Sequence, residues 1–67
     1  MSVARVTTLT ASSKESFDDA TRQALDRANK TLRNVTGAEV TAQKVKVDQG
    51  RIQEFRVTMD VTFILDE

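Results

Sequence analysis

The run IQEFRVTMDVTFIL, residues 52–65, alternates apolar and polar side chains with a period of two. Phe55, Val57, Met59, Val61, Phe63 and Leu65 share one face, and Glu54, Arg56, Thr58, Asp60 and Thr62 share the other, the pattern of a strand buried on one side. Such a strand needs an apolar cover and hydrogen-bonding neighbours. Those must come from a chain of 67 residues, which is read as one domain, 1–67. A domain that small buries only about 60% of the surface its unfolded chain exposes. Cysteine and histidine are both absent, so there is no disulfide, no thiolate metal cage and no imidazole ligand or base. Self-association is the remaining way to stabilise so small a fold.

The cover is found upstream. Phe17, Ala20, Ala24, Ala28, Leu32 and Val35 recur at three- and four-residue spacing, with Leu25 beside them, and predict a helix with one apolar stripe. Ser12 and Glu15 in ASSKESF have the spacing of a capping box, placing the helix start there. Acidic residues at 15, 18 and 19 and basic ones at 30 and 33 complement the helix dipole. On the outer face Asp18, Arg22, Asp26 and Lys30 form an exposed ladder of alternating charge. With alanine at three of its inner positions, the helix backbone can lie close to whatever it covers. Gly37, in NVTGAEV, reads either as the stop of this helix or as a position from which a functional side chain is missing.

Residues 2–10, SVARVTTLT, read as a first strand, 38–47, AEVTAQKVKV, as a second, and Asp48-Gln49-Gly50-Arg51 as the turn into the third. Setting Val47 opposite Ile52 sets Val40 opposite Met59 and Ala42 opposite Val57. It leaves Val45, Val47 and Ile52 on the face away from the helix. A right-handed crossover makes strands one and two parallel, with strand three between them. The fold class is therefore α+β: a β-α-β-β chain with a three-stranded antiparallel sheet, order 1-3-2, under one helix. Fourteen strand residues span roughly 45 Å and twenty helical ones roughly 30 Å. Strand three should thus project past the helix, leaving Phe63 and Leu65 for another subunit to cover.

Ten basic residues balance ten acidic ones, and tryptophan and tyrosine are absent. Both facts argue against nucleic acid, which calls for net positive charge or stacking platforms. No apolar run has transmembrane length, so no membrane partner is expected and the cytoplasm is the expected location. Without His, Cys or Tyr there is no nucleophile with a plausible base beside it, and an enzyme is not expected.

The order of elements, the alanine-rich helix ending in LDRANKTLRN, the GAEV junction and the last strand EFRVTMDVTFILDE resemble the dodecins over essentially the whole chain. That resemblance implies a hollow homododecamer of β-α-β-β subunits with cubic symmetry, whose flavin-binding members hold stacked flavin pairs between subunits. Those members carry a tryptophan in the junction after the helix and a glutamine in the last strand. The matching positions here are Gly37 and Arg56; glycine cannot stack, and arginine offers donors only. The chain is more similar to the branch that lacks the tryptophan, a few of whose members bind calcium. The resemblance thus implies a shell-forming binding or storage protein without the usual flavin stacking. Two alternatives stay open. One is a riboflavin or FMN store with altered contacts; the other is calcium held by Glu39, Asp60, Asp66 or Glu67 of neighbouring chains. Val45, Val47, Ile52, Phe63 and Leu65 are the expected oligomer contacts.

Overall fold

The structure, a computed structural model, describes residues 3–65. They form β1 (Ala4–Ser13), α1 (Phe17–Thr31), β2 (Val35–Asp48) and β3 (Arg51–Ile64). β3 lies between β1 and β2 and is antiparallel to both, the expected topology. The period of two in β3 puts Val57, Met59 and Val61 in the core, where at most 1% of each is exposed, against Ala20, Ala24 and Ala28 of α1. Leu9, Ala11, Leu25, Leu32 and Val35 close the margins. Phe17 meets Phe55 edge to face, with ring centroids 5.1 Å apart, the geometry that aromatic quadrupoles favour.

The helix starts later than the Ser12/Glu15 spacing suggests and ends earlier than its apolar stripe does. β1 stays paired with β3 through Ser12↔Arg56 and Ser13↔Phe55, so Ser12 is a strand residue and not the cap. Ser16 is the cap, and its side chain accepts a 2.9 Å bond from the amide of Asp19. Ser13, buried at the end of β1, donates to Asp19 Oδ2 at 2.6 Å and accepts from the Glu15 amide at 2.9 Å. ASSKESFDD contains Ser-x-x-acid at 12–15 and again at 16–19; strand pairing decides between them. At the other end Leu32 is already extended and its amide bonds Ala28 O at 2.8 Å, which leaves Val35 to begin β2.

The hairpin turns through Gln49 and Gly50 at φ 51° and 76°, positive at both central residues as the twist of paired strands requires. Its register departs from the uniform one expected. Val47↔Ile52 and Val40↔Met59 hold, but Ala42 lies opposite Thr58 rather than Val57, and Val45 lies opposite Phe55. Irregularities at Val35/Gly37, Val40/Ala42 and Lys46/Val47 each slip the ladder by one residue, and a one-residue slip exchanges faces. Val45 therefore sits level with Phe55 on the helix side of the sheet, and Val47, two residues on with no extra residue in β2 between them, shares that side with its partner Ile52, so none of the three lies on the far side expected.

The projecting end is also the opposite of the one expected. Phe17 meets Phe55 where β1 stops, so the two-stranded ribbon from Val45 and Phe55 to the turn runs on past the helix. Phe63 is half-buried beside Val35 and Arg5, while Leu65 remains exposed. The radius of gyration is 13.8 Å, against roughly 11 Å for a compact chain of this length. The accessible surface of 5170 Å² likewise exceeds the roughly 4,250 Å² of a compact monomer of this mass. Val47 and Ile52 on the ribbon are each more than half exposed.

Candidate functional site

The polar face of β3 is the face that α1 leaves open, and β1 and β2 extend it into rows. From the ribbon end toward the chain termini these are Ser12–Arg56–Lys44, Thr10–Thr58–Ala42, Thr8–Asp60–Glu39 and Val6–Thr62–Gly37. Thr8 Oγ1 donates to Asp60 Oδ1 at 2.8 Å, and the hydroxyls of Thr10 and Thr58 lie 3.3 Å apart. Arg56 Nε donates to Glu54 Oε2 at 3.0 Å. That bond holds the Glu54 carboxyl below the usual carboxylate range, with the charges of Arg56 and Lys46 adding to it and partial desolvation opposing. The face is thus wet and hydrogen-bonded, with short side chains in the row Thr10–Thr58–Ala42 and charged ones to either side of it.

Gly37 is not the helix stop. It lies inside β2, outside the left-handed region, and an added Cβ would meet nothing within 4 Å. The left-handed residue of this junction is Asn34, at φ 59°. Its carbonyl accepts the Ile64 amide at 3.0 Å, and its Nδ2 donates to Ile64 O at 3.4 Å. Asn34 thereby turns the chain and ties it to the end of β3, so Gly37 is an extended, exposed position that simply lacks a side chain.

Gly37 and Arg56 lie on one face but not together. Gly37 is level with Thr62, six residues along β3 from Arg56, or about 20 Å. One chain cannot place both against one small molecule. Glu39 and Asp60 stand directly opposite each other, while Asp66 and Glu67 lie outside the described residues. Among the described residues no group of three or more His, Cys, Asp or Glu side chains could hold a metal ion. Sequence reasoning missed an open hollow of about 340 Å³ lined by Val40, Thr41, Ala42 and Gln43. It lies at the bulge at Thr41, whose hydroxyl donates to Thr58 O at 3.2 Å, and nothing in the local sequence marks it.

The family model for dodecin matches residues 3–66. The chain belongs to the dodecin family. The dodecin from Streptomyces davaonensis is 38% identical over 98% of this chain and 97% of its own, with a TM-score of 0.93. A mutant of the T. thermophilus dodecin is 31% identical over 100% of both chains, with a TM-score of 0.94. A calcium dodecin from Mycobacterium tuberculosis, described as a calcium-chelating immunodominant antigen with a novel calcium-binding site, is 28% identical. It covers 96% of this chain and 91% of its own, with a TM-score of 0.83. Among curated proteins nothing matches. Within the dodecin fold this chain keeps the sheet, helix and core while presenting glycine and arginine at 37 and 56.

Proposed function

We propose that this dodecin-family chain is a non-enzymatic binding or storage protein. It assembles as a closed shell of twelve copies, holds its ligand between copies, and does not bind flavin in the stacked manner. The observation that carries this reading is Gly37: an extended, open position on the helix-free face, with space for a ring and no ring present. Flavin does not fit the residues as they stand. No aromatic side chain lies on that face among the described rows, and Arg56 offers only donors, one of them already engaged by Glu54. The partner is a further copy of this chain. Val45, Val47 and Ile52 on the ribbon and Leu65 at the other end expose apolar surface that a partner would cover, and half-buried Phe63 extends it. Among the described residues no helix is long and apolar enough to cross a membrane, and the cytoplasm is the proposed location.

The test is a fluorescence titration of riboflavin and FMN with the parent, Arg56→Gln, Gly37→Trp and the double variant. Stacking a flat ring on an aromatic side chain is worth roughly 1–3 kcal/mol by analogy with base stacking, or about five- to 150-fold in affinity. Gly37→Trp should supply most of that gain. Arg56→Gln alone should change little, because one hydrogen bond at a wet edge contributes about 1 kcal/mol. Tight quenching by the parent would show that another group stacks on the ring and would overturn the reading.

Calcium is a second reading, favoured by the opposed Glu39 and Asp60 carboxylates and by the name of the mycobacterial relative. Two carboxylates fall short of the six to eight oxygens calcium takes, so several copies would have to converge. Calorimetric titration of the parent with calcium chloride decides it: absence of binding heat removes this reading.

A further inference from the structure

We propose that three extra residues, Thr36, Thr41 and Gln53, guard one side of this sheet against filament growth, so that protomers cannot add to one another strand on strand without end. The inference goes beyond the binding reading and does not rest on it.

Among the described residues the sheet has two open edges. β1 and β2 flank β3, so the outer side of each carries unpaired backbone groups, a template for a further strand. β3 gains an open edge of its own from Arg51 to Glu54, because β1 has already ended at Ser13↔Phe55. The register locates the extra residues. Thr36 falls between Val35↔Phe63 and Gly37↔Thr62, Thr41 between Val40↔Met59 and Ala42↔Thr58, and Gln53 between Val47↔Ile52 and Lys46↔Glu54. Each lies on a stretch with an open edge. From Phe55 to Phe63, where β3 is paired on both sides, β3 itself carries none.

A bulge bends its strand and increases the local twist, which takes the edge out of the regular repeat that a docking strand needs. Pairing within the protomer does not require the extra residues. With Thr41 deleted, Val40 and Ala42 would still face Met59 and Thr58, now as consecutive residues of an unbroken ladder. What Thr41 changes is the outer side of β2, where its hydroxyl bond to Thr58 O at 3.2 Å holds the bulge in place.

β1 is the contrast. Its ten residues pair with β3 in consecutive steps without irregularity. Val3 O accepts the Leu65 amide at 2.9 Å, and bonding alternates along an antiparallel pair. Odd-numbered residues of β1 therefore bond β3, and the even-numbered ones from Ala4 to Ser12 turn their amides outward. One regular edge is harmless while the other is broken. A copy's β1 laid on another's β2 is a head-to-tail contact, which runs on as a filament unless it closes into a ring. β1 laid on β1 about a two-fold axis uses up both regular edges and stops at two copies. Guarding β2 alone closes the route to endless growth, and β2 is the edge strand that holds Thr36 and Thr41.

The test deletes Thr41 and follows refolding from denaturant, when the edges are bare of neighbours. The deleted chain presents an unbroken edge opposite Thr62 to Glu54 and should yield about tenfold more sedimentable filament than the parent at equal concentration. Circular dichroism of the filaments should retain the helix, which separates stacked folded protomers from aggregated unfolded chain. Adding Val6→Pro to the deletion should abolish the filaments, because proline there blocks the outer edge of β1 and removes no bond to β3. A Thr41-deleted chain that refolds to parent-sized particles without filaments overturns the proposal. So do filaments that have lost the helix, or that persist with Val6→Pro. Should the deletion prevent folding, deletion of Gln53, on the ribbon beyond the helix, takes its place: filaments that retain the helix are expected, and parent-sized particles alone overturn the proposal.

Discussion

The two faces of one sheet in this chain are built on different physics. On the covered face Val57, Met59 and Val61 are removed from water against three alanines, and the gain scales with apolar area. On the open face Thr8, Thr10, Thr58, Asp60, Arg56 and Glu54 bond one another in solvent, where each bond contributes little net. The contrast separates two tasks. The covered face holds the protomer together, and the open face adds little to that.

The largest expected effect tests that contrast directly. Met59→Ala should destabilise the protomer by about 2–5 kcal/mol, the range for emptying a buried methionine site. Its neighbour Thr58→Ala should stay within about 0.5 kcal/mol. Denaturant titrations at one fixed protomer concentration make the comparison, since assembly adds its own term. Equal losses at the two positions would break it.

The covered face is also the part that the sequence discloses. Period-two spacing in β3 and the alanine stripe in α1 each name their own buried side chains, because burial leaves a periodic mark. The open face has no such mark. A bulge at Thr41 adds one residue without any glycine or proline to announce it, and it decides whether Glu39 or Val40 stands beside Asp60. Gly37 was ambiguous for a related reason. Glycine after a helix is a common stop, but here Asn34 takes the left-handed conformation three residues earlier, and only the backbone shows that. Gly37 and Arg56 lie about 20 Å apart within one chain, so no pattern within it could display them as a pair.

The helix start gives a smaller effect and sharpens the same boundary between sheet and helix. Ser16→Ala removes the bond to the Asp19 amide and should cost about 1 kcal/mol. Ser12→Ala alters a strand residue on the open face and should change stability by less than about 0.5 kcal/mol. Thermal denaturation of both variants distinguishes them. The reverse ranking would return the cap to Ser12 and end β1 earlier than Ser13.

The smallest effect concerns acid, where each region has one carboxylate below its ordinary range. Asp19, at the helix start, is held down first by the Ser13 hydroxyl, then by Gln23, with the charge of Arg22 also favouring ionisation and desolvation opposing. Glu54, on the open face, is held down first by Arg56. A carboxyl whose folded pKa lies below its unfolded value binds fewer protons folded than unfolded in that interval. Its contribution to stability is therefore complete above the unfolded value, about 4 for both residue types, and is lost as pH falls through the lower folded value. Both side chains are partly exposed, so both effects are small and screened by salt. They should nevertheless report on different regions. Asp19→Asn should flatten the decline of the melting temperature below pH 4 when melting is followed by helical circular dichroism. Glu54→Gln should leave that acid limb nearly unchanged, because the ribbon it belongs to extends beyond the helix. Should Glu54→Gln flatten the helical limb as much as Asp19→Asn does, the ribbon and the helix start unfold as one unit, and the separation of the two regions does not extend to the ribbon.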